Sequence, residues 1–298
     1  EGGSPGSTGP GGVLTTGGGP SNDADDDEVI KGRHDDDDST VDHPEEYYKA
    51  MHRKRVRVPK YIVPTPLLDV SRRADIVMFN EKDIAPITEF KARKEKEILM
   101  AIYRSTNGEN WKNSTNWGNK EISVDEWHGV TTDQRGYVIE LKLVNNGLEG
   151  EFPIDIGRLL ELEVLNLDQN AITGLISESA LNHLEQLEVL SLRKNKLYGD
   201  IPFRVMSLLT KLREVWLSEN AFTGIIDHNI GNITNLSHFD VYHNKISGTI
   251  PVAIANLEKL EVFSVGHNNM RGLIPDEMQA CHRLTYLSLY DNKFEGEV

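Results

Sequence analysis

Cysteine is nearly absent: Cys281 is the only one in 298 residues. No disulfide can form within the chain, so its stability must come from packing and hydrogen bonds. Bases are outnumbered, 32 Lys and Arg against 47 Asp and Glu, for a formal net charge of −15. That argues against a general phosphate-binding surface, because nucleic-acid binders concentrate Lys and Arg. Nucleic acid is therefore not an expected partner. No stretch approaches the ~20 apolar residues needed to span a bilayer, and no signal peptide is visible. Membrane association would have to come through segments outside this sequence. Catalytic signatures are missing too: there is no P-loop, no GxSxG, no HExxH and no CxxC. No pattern pairs the available Ser, His and Asp. Neither an enzymatic activity nor a cofactor is expected within these residues.

What the chain does have is repetition. Copies begin at Leu141 (LKLVNNGLEG), Leu165, Leu190, Val215, Phe239, Phe263 and Leu287 (LSLYDNKFEG), at spacings of 24, 25, 25, 24, 24 and 24 residues. A sustained period in the twenties reads as a solenoid. In the third copy Leu187, Leu190 and Leu192 alternate inward as a short strand. An Asn closes the strand in every copy, at Asn146, Asn170, Asn195, Asn220, Asn244, Asn268 and Asn292. An amide both donates and accepts, so stacked Asn side chains satisfy backbone groups that the inward turn would leave unpaired. Gly199 follows where a side chain would obstruct the bend, and Ile201-Pro202 opens what reads as an extended stretch. No repeat buries its Leu face alone; stacked neighbours bury it jointly.

The run LEVLSLRKNKLYGDIP (Leu187–Pro202) resembles the plant-type leucine-rich repeat. The resemblance covers roughly Glu89 to Val298. It implies an α/β fold: a right-handed arc with a parallel sheet on the concave face, helical or extended turns on the convex face, and protein or peptide recognition on the concave side. Trp127-His128-Gly129-Val130 matches the W-x-G-V core of that family's N-terminal cap. In secreted members cysteines flank this core; here Asp125 and Thr132 stand in those places. That tilts the reading toward an intracellular protein, with the cell surface as the alternative, and disulfide-free caps fit microbial and algal relatives. Cys281, in QACHRL, reads as packing and not as a nucleophile.

Three regions follow from composition. Residues 1–82 form the first. Its opening is Gly-, Ser- and Pro-rich, then SNDADDDE and HDDDD add dense negative charge, so disorder is expected. The acidic part is a solvated tail or a partner-binding one. Lys49 to Lys60 then hold six bases and no acid, an address or membrane-surface patch, or a neutraliser of the acidic tail. Residues 83–137 form the cap. Within it 83–105 reads as a helix bringing Phe90, Ile98, Ala101 and Ile102 together, followed by Trp111, Trp117 and Trp127, which shield the solenoid edge. Residues 138–298 hold the seven repeats. The chain starts at Glu1 and stops at Val298 inside a repeat, which reads as a fragment of a longer protein.

The binding face follows from the repeat, since residues between the inward leucines point to the concave side. Over the later repeats these include Trp216, Ser218, His238, Asp240, Tyr242, His243, Ser264, His267, Tyr286 and Tyr290. Trp and Tyr exposed on a rigid sheet are the material of binding hot spots. His238, His243 and His267 offer a pH-sensitive contact rather than a metal site, as no fourth ligand is evident. The expected function is a monomeric, non-enzymatic module that recognises a protein or peptide. The alternatives are the ligand-sensing ectodomain of a membrane receptor, with a span and a kinase beyond Val298, and an inhibitor that occludes an enzyme.

Overall fold

The computed structural model describes residues 94–296. The tail, the basic segment and the start of the cap helix lie outside them. Residues 94–105 are helical and form α1. Ile98, Leu99 and Ile102 fall on one face of it and are buried. Thr106 ends the helix, its Oγ1 donating to Ile102 O at 2.6 Å. Thr106 O in turn accepts from Glu149 N and from Trp111 Nε1, which ties the cap to the first repeat.

The three cap tryptophans pack in a chain. Trp111 and Trp117 are 4.8 Å apart edge-on, Trp117 and Trp127 are 5.2 Å apart, and Tyr103 stacks on Trp117 at 5.8 Å. Trp111 and Trp127 are buried against the core. Gly129 has φ +80°, and a Cβ there would sit 2.3 Å from Lys142 O. The glycine of the Trp-x-Gly-Val run is thus required by close backbone approach.

Two short strands open the main sheet: β1 (Val130–Thr132) runs antiparallel to β2 (Val138–Lys142). All later pairings are parallel. Strands β4 (Val164–Asn166), β6 (Val189–Ser191), β8 (Glu214–Trp216), β10 (His238–Asp240), β12 (Val262–Ser264) and β14 (Tyr286–Ser288) follow in order. Leu141 pairs with Leu165, Leu165 with Leu190, Leu190 with Val215, Val215 with Phe239, Phe239 with Phe263 and Phe263 with Leu287. The spacing of the sequence copies is therefore the strand register itself. Leu187, Leu190, Leu192 and Leu217 are fully buried, and Phe203, Phe239 and Phe263 form an aromatic spine at 5.8–6.0 Å.

A second ladder lies beside the first. Strands β3 (Glu149–Glu151), β5 (Ala171–Gly174), β7 (Lys196–Asp200) and β9 (Ala221–Thr223) form one sheet. Strands β11 (Ser247–Gly248), β13 (Asn269–Leu273) and β15 (Lys293–Glu295) form another, and an isolated bridge from Ile225 to Ser247 links the two rows. The extended stretch expected after Ile201-Pro202 is corrected here: the extended part comes earlier, in β7, and Pro202 begins a helical turn, α2 (Phe203–Met206). Val205 N and Met206 N both donate to Pro202 O. Proline suits that place because the first position of a helix has no N–H bond to lose. Pro153, Pro251 and Pro275 likewise precede 3-10 turns.

The Asn series works as a ladder. Asn195 Nδ2 donates to Leu167 O, Leu192 O and Arg193 O, and its Oδ1 accepts from Ile172 N at 3.0 Å. Asn170, Asn220, Asn244, Asn268 and Asn292 make the corresponding bonds. Asn146 instead exchanges two bonds with the backbone of Asn113, which locks the first repeat to the cap.

Candidate functional site

The concave face is built from alternate residues of the main sheet. Phe239 and Val241 fill the core, so His238, Asp240 and Tyr242 stand on the other side. The turn after each strand adds one more position. The residue before every ladder Asn has a left-handed backbone: Asn145, Gln169, Lys194, Glu219, His243, His267 and Asp291, with φ between 50° and 58°. Their side chains line one margin of the face at repeat spacing.

In the earlier repeats the face is a polar network. Asp168 Oδ1 accepts from Ser191 Oγ at 2.7 Å and from Arg193 N at 2.8 Å, and Arg193 Nε donates to Ser218 Oγ at 3.2 Å. In the later repeats it turns aromatic. Trp216 lies 5.3 Å from His238, and its Nε1 donates to Glu214 at 3.2 Å. Tyr242 meets His267 edge-on at 5.0 Å and Tyr290 at 6.0 Å, while His267 and Tyr290 are 5.1 Å apart. Gly266 makes this cluster possible: a Cβ there would fall 2.7 Å from Ser288 Oγ and 3.3 Å from both tyrosine rings. His267 Nδ1 pairs with Asp291, and His243 lies 5.9 Å from His267. An open groove of about 380 Å³ runs along this margin, lined by His243, His267, Asp291, Lys293 and the ladder asparagines.

Two groups are shifted by this packing. Burial, with Tyr290 beside it, raises the Tyr242 phenol well above the ordinary tyrosine value. Burial pushes the His238 imidazole below its ordinary value, against the opposing pull of Glu214 and Glu261.

The ten site residues expected from sequence divide into two sets. Tyr242, His243, His267, Tyr286 and Tyr290 reach the surface in part or in full. Trp216, Ser218, His238, Asp240 and Ser264 are buried, none more than 3% exposed. The expectation that Trp216 stands exposed is therefore corrected. On the inside of an arc side chains converge, and a ring as wide as Trp216 is covered by its neighbours. Sequence reading passed over Ser237, which orients His238; the repeat pattern puts Gly266 and Asp291 on the concave face but not their roles, making room for the rings and pairing with His267. Only the glycine, in a row where other repeats carry larger residues, gave a signal. Among the described residues no group of three or more His, Cys, Asp or Glu is placed to hold a metal ion. Cys281 is buried, its Sγ donates to Ile254 O at 3.3 Å, and burial raises its pKa.

Comparison with known proteins agrees with this geometry. The Leucine Rich Repeat family model matches residues 235–257. The leucine-rich repeat ectodomain of the plant membrane receptor kinase GASSHO1/SCHENGEN3 from Arabidopsis thaliana, solved with CASPARIAN STRIP INTEGRITY FACTOR 2, superposes with a TM-score of 0.63 at 28% identity. By its repeats and its fold the chain is similar to leucine-rich repeat proteins of the plant type. That match covers 67% of this chain and 24% of the ectodomain, so the leucine-rich repeat chain spans about a quarter of this relative. The BIR3–SERK2 complex from Arabidopsis thaliana gives a TM-score of 0.51 at 27% identity, covering 58% of this chain and 93% of that one. Pollen Receptor Kinase 3, at 21% identity, TM-score 0.60 and coverage of 67% and 96%, shares the fold. No curated protein matches the chain in sequence.

Proposed function

We propose that this leucine-rich repeat arc is a monomeric, non-enzymatic recognition module that holds a protein or an extended peptide across its concave face. The observation that carries the reading is the cluster of Tyr242, His267 and Tyr290 on three successive repeats, set into a sheet whose register is fixed. Rigid aromatic side chains on a preorganised scaffold bind with little loss of entropy. The solved relatives support the class of partner: one holds a named factor and another is a complex of two proteins. The test is the affinity of a peptide selected by display against the full chain. Tyr242→Ala combined with Tyr290→Ala should weaken it at least tenfold; unchanged affinity contradicts the reading.

A second reading, the ligand-sensing part of a membrane receptor, is favoured by the relative that is itself a receptor ectodomain. It places the chain at the cell surface, against the intracellular tilt given by the missing cap cysteines. No helix among the described residues is long and apolar enough to cross a membrane. Asn113-Ser-Thr and Asn232-Ile-Thr are glycosylation triplets whose asparagines are exposed. Glycans at these positions in protein from its native source support the surface reading, and their absence counts against it.

A further inference from the structure

Strand β10 carries two buried polar atoms with no hydrogen-bond partner, His238 Nε2 and Asp240 Oδ2. The residues are 3% and 1% exposed, and both stand on the concave face. The bonds around them define what each atom can do. Ser237 Oγ donates its one proton to Arg213 O at 2.9 Å and lies 2.8 Å from His238 Nδ1. Toward the imidazole, Ser237 Oγ is therefore the acceptor, and Nδ1 carries the ring proton. That makes Nε2 a lone-pair acceptor. Asp240 Oδ1 accepts from Tyr242 N at 3.0 Å, which fixes the carboxylate and leaves Oδ2 as a second acceptor.

Two buried acceptors, one of them a carboxylate, call for a cationic donor, because an uncompensated buried charge is costly. Trp216, 5.3 Å from the His238 ring, adds an aromatic wall of the kind that attracts cations. Donor geometry separates the two candidate cations. An ammonium is a compact point charge whose three donors leave one nitrogen, whereas a guanidinium presents five donors in a rigid plane and so meets two fixed acceptors at once. We propose that His238 and Asp240 form a subsite for an arginine side chain of a peptide bound across the concave face. The inference rests on the recognition reading above and names the ligand chemistry at its centre.

The test titrates the full chain with N-acetyl-arginine amide, N-acetyl-lysine amide and N-acetyl-citrulline amide, followed by NMR of the His238 ring. His238→Gln identifies that signal. The arginine compound should give a saturable shift, with the lysine and citrulline compounds at least tenfold weaker. Asp240→Asn, which keeps an acceptor for Tyr242 N, should erase the preference for arginine over citrulline. No saturable shift with the arginine compound, or an equal response to citrulline, overturns the proposal, and both outcomes are read on the unsubstituted chain. A chain that binds a display-selected peptide through Tyr242 and Tyr290 yet gives no such shift keeps the recognition reading and loses this one.

Discussion

Asn195 satisfies four backbone groups with one amide, and its neighbours in the ladder repeat the arrangement. Each buried backbone group left unmet costs roughly 1–3 kcal/mol. Asn195→Ala should therefore destabilise the chain by about 2–4 kcal/mol in chemical unfolding; a loss below roughly 0.5 kcal/mol, the range of an ordinary surface change, would contradict the ladder. Glu95 is the other telling residue. It is buried on α1 and accepts from Val138 N at 3.1 Å. Burial raises its pKa, the bond from Val138 opposes this, and Asp133 and Glu161 add repulsion. The folded chain thus holds this proton more tightly than the unfolded chain. Its contribution to stability falls as pH rises from the ordinary carboxylate range through the raised value, and recovers on acidification. Glu95→Gln keeps the acceptor and removes the charge. It should raise the melting temperature at neutral pH and change it little near pH 4, about the ordinary Glu value. An equal effect at both pH values would contradict this titration.

Among the elements, the strands of the main sheet were the most legible. Their spacing depends on a short strand and a ladder Asn that recur in every copy, so counting residues between copies returns the register from Leu141–Leu165 to Phe263–Leu287. The second ladder, the strands β3, β5, β7, β9, β11, β13 and β15, was not legible, because two to five residues are too few for alternation to mark a strand. The site was legible only by position. Alternation put Trp216, His238 and Asp240 on the concave side, but curvature, which no local pattern carries, decides that they are buried there and that Tyr242 and Tyr290 are not. Leu217 lies between β8 and the ladder Asn220, wholly inside the core. A carboxylate there has no partner and disrupts the contacts that each repeat makes with the next. Leu217→Asp should unfold at least the adjoining repeats, seen as a broadened, lowered melt and lost amide protection in β6, β8 and β10. An unchanged cooperative melt would overturn the register.

For the molecule as a whole, parallel stacking makes the arc one continuous core under one continuous face. Its character changes along the arc, from the network around Asp168 and Arg193 to the rings of Tyr242, His267 and Tyr290. The recognition reading depends on that change and places the partner over the later repeats. The most direct measurement is a photo-crosslinking map of a display-selected peptide on the full chain, read by mass spectrometry. The account predicts crosslinks at Tyr242, His267, Tyr286 and Tyr290. Crosslinks confined to exposed residues off that face, such as Tyr198 on β7 or Leu208 beyond α2, would contradict it.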